Sequence, residues 1–363
     1  KQVMLGAAYL SPELQTAFGD AYYIYGSQVK TNALALETLA ESGSTEAAAQ
    51  VQKSAAAAKK YAEYIAPQDA KKPGFIQVWT DSDKAAYHAE LTLDARGATF
   101  TPGKLLHTKL ADAKNTFLYV ESTPYKSLKP SPTWATLFPA DLVRDTSSAD
   151  DEDDEVMDNA DIIALVTPAL SALGDMNKGL DGHFTVIGDA AAKSKENKNL
   201  FPRLGYYNAI TDSTSLTMGW KKLVKNFGPM LGGDDAIQQM IKAKSTKTGG
   251  ESFRLALPFC EGDLAPNATI EDKHLAVSTS PKLSSALIKN AKYGGTPFAG
   301  SVFMLRTAPI ISCLKALSKD PTLPVPAEAV QPAAMFASGL KAVYGAISIS
   351  DGSATLRVDI QTK

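Results

Sequence analysis

Two hydrophobic rhythms run along the chain, one with a period near 3.6 and one with a period of two. The helical rhythm is clearest in residues 27–42, where Leu and Ala recur behind Ser27, and in the Ala-rich stretch 44–65, which stops before Pro67. It returns at 159–176, with apolar positions 162, 163, 166, 170 and 173 on one face and Pro168 as a kink, and again at 216–231 and 280–291. The alternating rhythm predicts a hairpin over 74–103, turning at Asp81-Ser82-Asp83 and again at Ala95-Arg96-Gly97. Single strands are predicted at 115–122, 183–189, 252–259, 273–280 and 300–307. The strongest hairpin signal is 342–362, alternating on both arms around Asp351-Gly352.

These elements predict an α+β protein of two lobes, each an antiparallel sheet packed with long helices. The expected division is an N-terminal lobe over 1–145, an acidic linker over 146–161 and a C-terminal lobe over 162–363. Three pairs of segments share a shape across the two parts: 19–43 with 271–295, 117–137 with 301–321, and 75–93 with 345–361. They raise the expectation of a divergent duplication with rearrangement, against the simpler reading that both parts use common strand–turn–helix grammar.

Charge sharpens the picture of the linker. The chain has 363 residues and a formal net charge of −2. Its acids are concentrated: Asp150 to Glu155 are six in succession, and no base lies between Asp145 and Asp161. Like charges at this density repel and stay solvated, so the run predicts a mobile linker, with Asp158 and Asp161 placed to favour a helix start. As a calcium site, Asp150, Glu152 and Asp154 offer the right oxygens, but the run lacks the glycine that an EF-hand loop needs for its sharp turn. Outside the run the chain is mildly basic through scattered lysines with only six arginines, which is not the footprint of a nucleic-acid reader.

Other chemistry is sparse. His88, His107, His183 and His274 stand apart in sequence without metal-ligand spacing, and each reads as a half-buried structural residue. Cys260 and Cys313 sit in apolar contexts that suit buried thiols, with one disulfide as the alternative. No phosphate loop is present, and no cofactor is expected. The longest apolar runs fall well short of the roughly 18 residues that span a bilayer, so no transmembrane helix is expected.

One set of motifs suggests catalysis. Ser27-x-x-Lys30, Tyr206-x-Asn208 and Lys247-Thr248-Gly249, in that order, resemble the boxes of class C β-lactamases and serine-type DD-peptidases. The resemblance implies a nucleophilic Ser27, proton handling by Lys30 and Tyr206 with Asn208 alongside, and a carboxylate held near Lys247. The context departs from that family. Only 26 residues precede Ser27, and 114 follow Gly249, where the family has little chain left. Ser-x-x-Lys also recurs at Ser312–Lys315 and Ser338–Lys341, as chance predicts in a chain rich in both residues.

A second resemblance covers 269–291, with 253–259 before it and 295–310 after it. These strand–Ser–helix units look like the C-terminal region of large exported bacterial proteins of unknown function. The likeness implies an envelope location and carries no catalytic motif. The start at Lys1 agrees with removal of a secretory leader. The resulting expectation is an exported, periplasmic or cell-surface, non-enzymatic binding or scaffold protein. Its expected partner is another envelope protein or a hydrophobic ligand. The alternatives are a penicillin-recognising serine hydrolase and a lipid carrier.

Overall fold

The computed structural model describes residues 2–22, 69–81, 83–126, 172, 176, 178–190, 202–227, 241–245, 250–255, 262–317, 331 and 338–363. Its centre is a single antiparallel sheet of thirteen strands. In chain order the elements that matter are β1 (Gln2–Leu10), α1 (Pro12–Tyr22), β2 (Gly74–Asp81), β3 (Ala86–Asp94), β4 (Thr99–Phe100) and β5 (Gly103–Leu105). They continue with α2 (Thr108–Ala111), β6 (Thr116–Ser122), β7 (Tyr125–Lys126), β8 (Leu180–Asp189), β9 (Arg203–Ile210) and α3 (Ser213–Phe227). Then come β10 (Ile241–Ser245), β11 (Glu251–Leu255), β12 (Asn267–Glu271), β13 (His274–Ser278), α4 (Pro281–Lys292) and β14 (Thr296–Phe298). The chain closes with β15 (Gly300–Arg306), α5 (Thr307–Leu317), β16 (Leu340–Ser350) and β17 (Ser353–Thr362).

The expected α+β architecture of sheets packed with long helices is corrected by this arrangement. The described helices are five, between 4 and 15 residues long, against a sheet ordered β1-β2-β3-β17-β16-β15-β6-β8-β9-β13-β12-β11-β10. The physical reason is that hairpin edges satisfy their backbone groups on one another, so hairpins from distant parts of the chain merge into one ladder. Thus β17-β16-β15, from the end of the chain, lie between β3 and β6. The two hairpins paired by shape, 75–93 and 345–361, are neighbours here through β3 and β17, and the strands of 117–137 and 301–321 pair as β6 and β15. The expected helices at 27–42 and 44–65, and the acidic run, lie outside the described residues. Of 159–176, only Ala172 and Met176 are described, and both are buried.

Local chemistry explains the elements that position the centre of the sheet. The β16–β17 hairpin turns on Asp351 (φ 49°) and Gly352 (φ 72°), the left-handed pair that matches the twist of its strands. α4 opens on Ser280, whose side chain accepts from the Leu283 amide at 3.2 Å, with Pro281 at the first helical position. Its apolar stripe, Leu283, Leu287 and Ile288, packs with Ile187, Tyr207 and Ala276 on one sheet face. A Cβ on Gly205 would lie 3.0 Å from Leu283 and Leu287, so the missing side chain lets the helix sit close to β9. The opposite face holds a second core of Met176, Ile210, Leu216, Phe253, Ile270 and Leu275, with Trp220 of α3 packed against it.

Candidate functional site

One row of paired residues crosses all thirteen strands, from Ala7 through Gln77, Glu90 and Arg357 to Glu121, Thr185 and Tyr207, and on to Lys244. Strand alternation puts every member on the α4 face. At its middle lies a buried group of ionisable side chains built around Glu121. Glu121, His107 and Tyr207 are each 0% exposed.

Glu121 is saturated with donors. His183 Nε2 lies 2.8 Å from its Oε1, which also accepts from the Leu106 amide. The other oxygen, Oε2, accepts from the His107 amide at 3.1 Å and from the Tyr119 hydroxyl. Burial alone would raise this carboxyl. The hydrogen bonds and charge of His107, with the bonds from His183 and Tyr119, outweigh it and hold the pKa at about 2. The same burial, together with the Glu121 charge, pushes the Tyr119 phenol upward.

The histidines continue the network. His107 Nε2 donates to the Leu287 carbonyl of α4 at 3.0 Å, and its Nδ1 is 2.8 Å from Thr185 Oγ1. The Tyr207 ring packs on His107 at 4.6 Å between centroids, on His274 at 5.8 Å and on His183 at 6.4 Å. Its hydroxyl is 2.8 Å from His274 Nδ1. Burial, assisted by Asp181 and Glu121, raises the Tyr207 phenol, and burial lowers His274. Four strands, a loop and a helix carbonyl are thus tied around one carboxylate. Every hydrogen-bonding position of Glu121 is used within the protein, so the arrangement can hold charge in the core and offers no open coordination to a substrate.

Sequence reasoning missed this convergence because the three histidines are scattered, and only strand pairing brings them together. The fourth, His88, lies elsewhere on the same face, bonded through Nδ1 to Asp359 and stacked on Trp79 at 5.3 Å. Arg357 sits 5.9 Å above that Trp79 ring. Among the described residues no group of three or more His, Cys, Asp or Glu is arranged to hold a metal ion.

The motif residues are placed as follows. Tyr206 and Asn208 lie on β9, on the face opposite Tyr207, with Asn208 Nδ2 donating to the Tyr206 hydroxyl at 2.7 Å. Burial raises the Tyr206 phenol, away from what a proton acceptor requires. Ser27, Lys30 and Lys247 lie outside the described residues, as do Asp150, Glu152 and Asp154 of the calcium candidate.

A different feature stands at the β1 edge. Of the twelve large hydrophobic side chains exposed among the described residues, seven lie on three adjacent strands: Val3, Met4, Leu5, Tyr9, Phe75, Ile76 and Tyr87. Tyr9 and Phe75 meet edge to face at 5.5 Å. β1 is exposed from Gln2 to Tyr9, and it carries no charged side chain. Among the described residues β1 has a strand partner on one side only, β2. No helix among the described residues is long and apolar enough to cross a membrane. Compared with known proteins, the chain matches no family model, no curated protein and no solved structure.

Proposed function

We propose that the protein is an exported, non-enzymatic binding or scaffold protein that engages its partner through the apolar edge formed by β1 and β2. The observation that carries the reading is the concentration of exposed apolar side chains on these strands, led by Tyr9 at 59%, Met4 at 57% and Leu5 at 56%. Apolar side chains exposed on both faces of an edge strand suit β-augmentation, in which main-chain bonds supply affinity and alternate side chains supply selectivity. The saturated Glu121 cluster on β6, in the middle of the sheet and away from this edge, fits the non-enzymatic reading, because both oxygens of the carboxylate are taken up within the protein. The likeness of 269–291 to exported proteins supports the envelope location.

Co-sedimentation of the full chain with a bacterial envelope fraction tests the proposal. Wild-type protein is expected to be retained, and the double variant Tyr9→Lys/Phe75→Lys to lose most of its retention. Equal retention of both proteins, or of neither, contradicts it. Covalent labelling of Ser27 by a fluorescent penicillin would favour the hydrolase instead.

A further inference from the structure

We propose that the cleft between α3 and the β12–β13 turn is a binding site for a neutral carbohydrate. The site is separate from the β1 edge, since none of its lining residues lies on β1, β2 or β3. Its volume is about 600 Å³, inside the roughly 300–1,000 Å³ range of small-molecule pockets. One wall is a single stripe of α3, in which Ser213, Thr217 and Lys221 follow at helical spacing with Thr214 and Met218 beside them. The facing wall is Glu251 of β11, Ile270 of β12, Asp272 in the turn and Lys292 at the end of α4.

Charge, hydroxyls and apolar contact in this lining select the ligand together. Lys221 and Lys292 are balanced by Glu251 and Asp272, so the lining has no net charge to draw in an anion or a cation. Lys221 Nζ donates to Glu251 Oε1 at 3.0 Å, and Lys292 Nζ to Glu271 Oε1 at 2.6 Å. An anion would therefore compete at each ammonium with a carboxylate already in place. The hydroxyls of Ser213, Thr214 and Thr217 are not hydrogen-bonded to other groups among the described residues. A sugar hydroxyl both donates and accepts, so it pairs with these hydroxyls and also bridges a carboxylate and an ammonium. Ile270, buried, and Met218, 56% exposed, supply apolar contact for the C–H face of a sugar ring. A wholly apolar ligand would strip water from two ion pairs and three hydroxyls and give nothing in return.

Titration calorimetry on the full chain tests the site, with maltose, cellobiose and diacetylchitobiose as neutral probes and inorganic phosphate and spermidine as charged ones. At least one disaccharide is expected to bind, and both charged probes to bind more weakly than it does. Thr217→Val removes a hydroxyl, and Asp272→Asn removes a charge while keeping a residue type that tolerates the left-handed backbone there (φ 54°). The two changes combined are expected to weaken the disaccharide about tenfold, with an unchanged circular dichroism spectrum. The edge variant Tyr9→Lys/Phe75→Lys is expected to bind it as the wild type does, which keeps this site distinguishable from the β1 reading. Binding of no disaccharide, tighter binding of phosphate or spermidine, or wild-type affinity in Thr217→Val/Asp272→Asn overturns the proposal. Loss of the disaccharide in the edge variant alone moves its site to β1 and overturns it equally.

Discussion

His183 Nε2 and Glu121 Oε1 lie 2.8 Å apart across the β6–β8 ladder, with the carboxylate 0% exposed and the histidine 7% exposed. The contact is one of four that Glu121 accepts, and the other three come from residues within 15 positions of it. A buried carboxylate held this way serves as a lock between Leu106 and His107, β6 and β8. Its worth is visible mainly when a partner is removed.

Glu121→Ala leaves the Leu106 and His107 amides, the Tyr119 hydroxyl and His183 without their acceptor. The expected cost is about 3–5 kcal/mol, the range for breaking one side of a buried charged network. Glu121→Gln keeps the shape but turns a donor toward donors, and should cost about 2–3 kcal/mol. Urea unfolding monitored by circular dichroism measures both, and a cost under about 1 kcal/mol for Glu121→Ala contradicts the lock.

The same carboxylate sets an acid limit. Its pKa is about 2 in the fold, against an ordinary value of 4.5. Folding therefore gains stability from Glu121 that is complete above pH about 4.5 and is lost as pH falls toward about 2. The full amount is roughly 3 kcal/mol. Stability measured from pH 7 down to 2.5 should fall along this limb, and Glu121→Gln should flatten it. An identical acid limb in the variant would assign the loss to other groups.

Arg203 holds a second clamp at the other end of β8 and β9. Its guanidinium binds both oxygens of Asp189, at 2.7 and 2.6 Å, and reaches Asp263 at 3.3 Å. Arg203→Ala takes the cation away from two nearly buried carboxylates, of which Asp263 keeps the Lys282 amide, and should cost about 3–5 kcal/mol. Arg203→Lys keeps the charge but not the planar fork, and is expected to recover only part of the loss in thermal unfolding.

Gly205→Val tests the close seat of α4. The added side chain would press on Leu283 and Leu287 from 3.0 Å or less, and overpacking of this kind costs about 1–3 kcal/mol. Amide exchange should accelerate along 281–292 more than along 353–362, since α4 takes the strain. Uniform acceleration would mean that the helix is not the element displaced.

How much of this was legible depended on whether the signal was local. The β16–β17 hairpin was readable because two long arms alternate around Asp351-Gly352, and α4 because Ser280 and Pro281 mark its start. β1 was not read as a strand, since Gln2–Leu10 is exposed on both faces and therefore does not alternate. β9 was visible only as aromatic spacing, with Tyr206 and Tyr207 on opposite faces. The site was hidden for a topological reason. Glu121 and His183 are 62 positions apart, His107 and Leu287 are 180 apart, and no periodicity states which strands are neighbours. Once β6, β8 and β9 are ordered, Glu121, Thr185 and Tyr207 fall in one row.

The molecule divides into a sealed centre around Glu121 and an exposed β1 edge, which we propose binds an envelope partner. Hydrogen–deuterium exchange with and without a bacterial envelope fraction tests that division most directly. The Leu106 and His107 amides should be strongly protected in both samples. The β1 amides that point away from β2 should exchange quickly in the protein alone and gain protection when the fraction is added. Fast exchange at 106–107, or no change along β1 on adding the fraction, would contradict it.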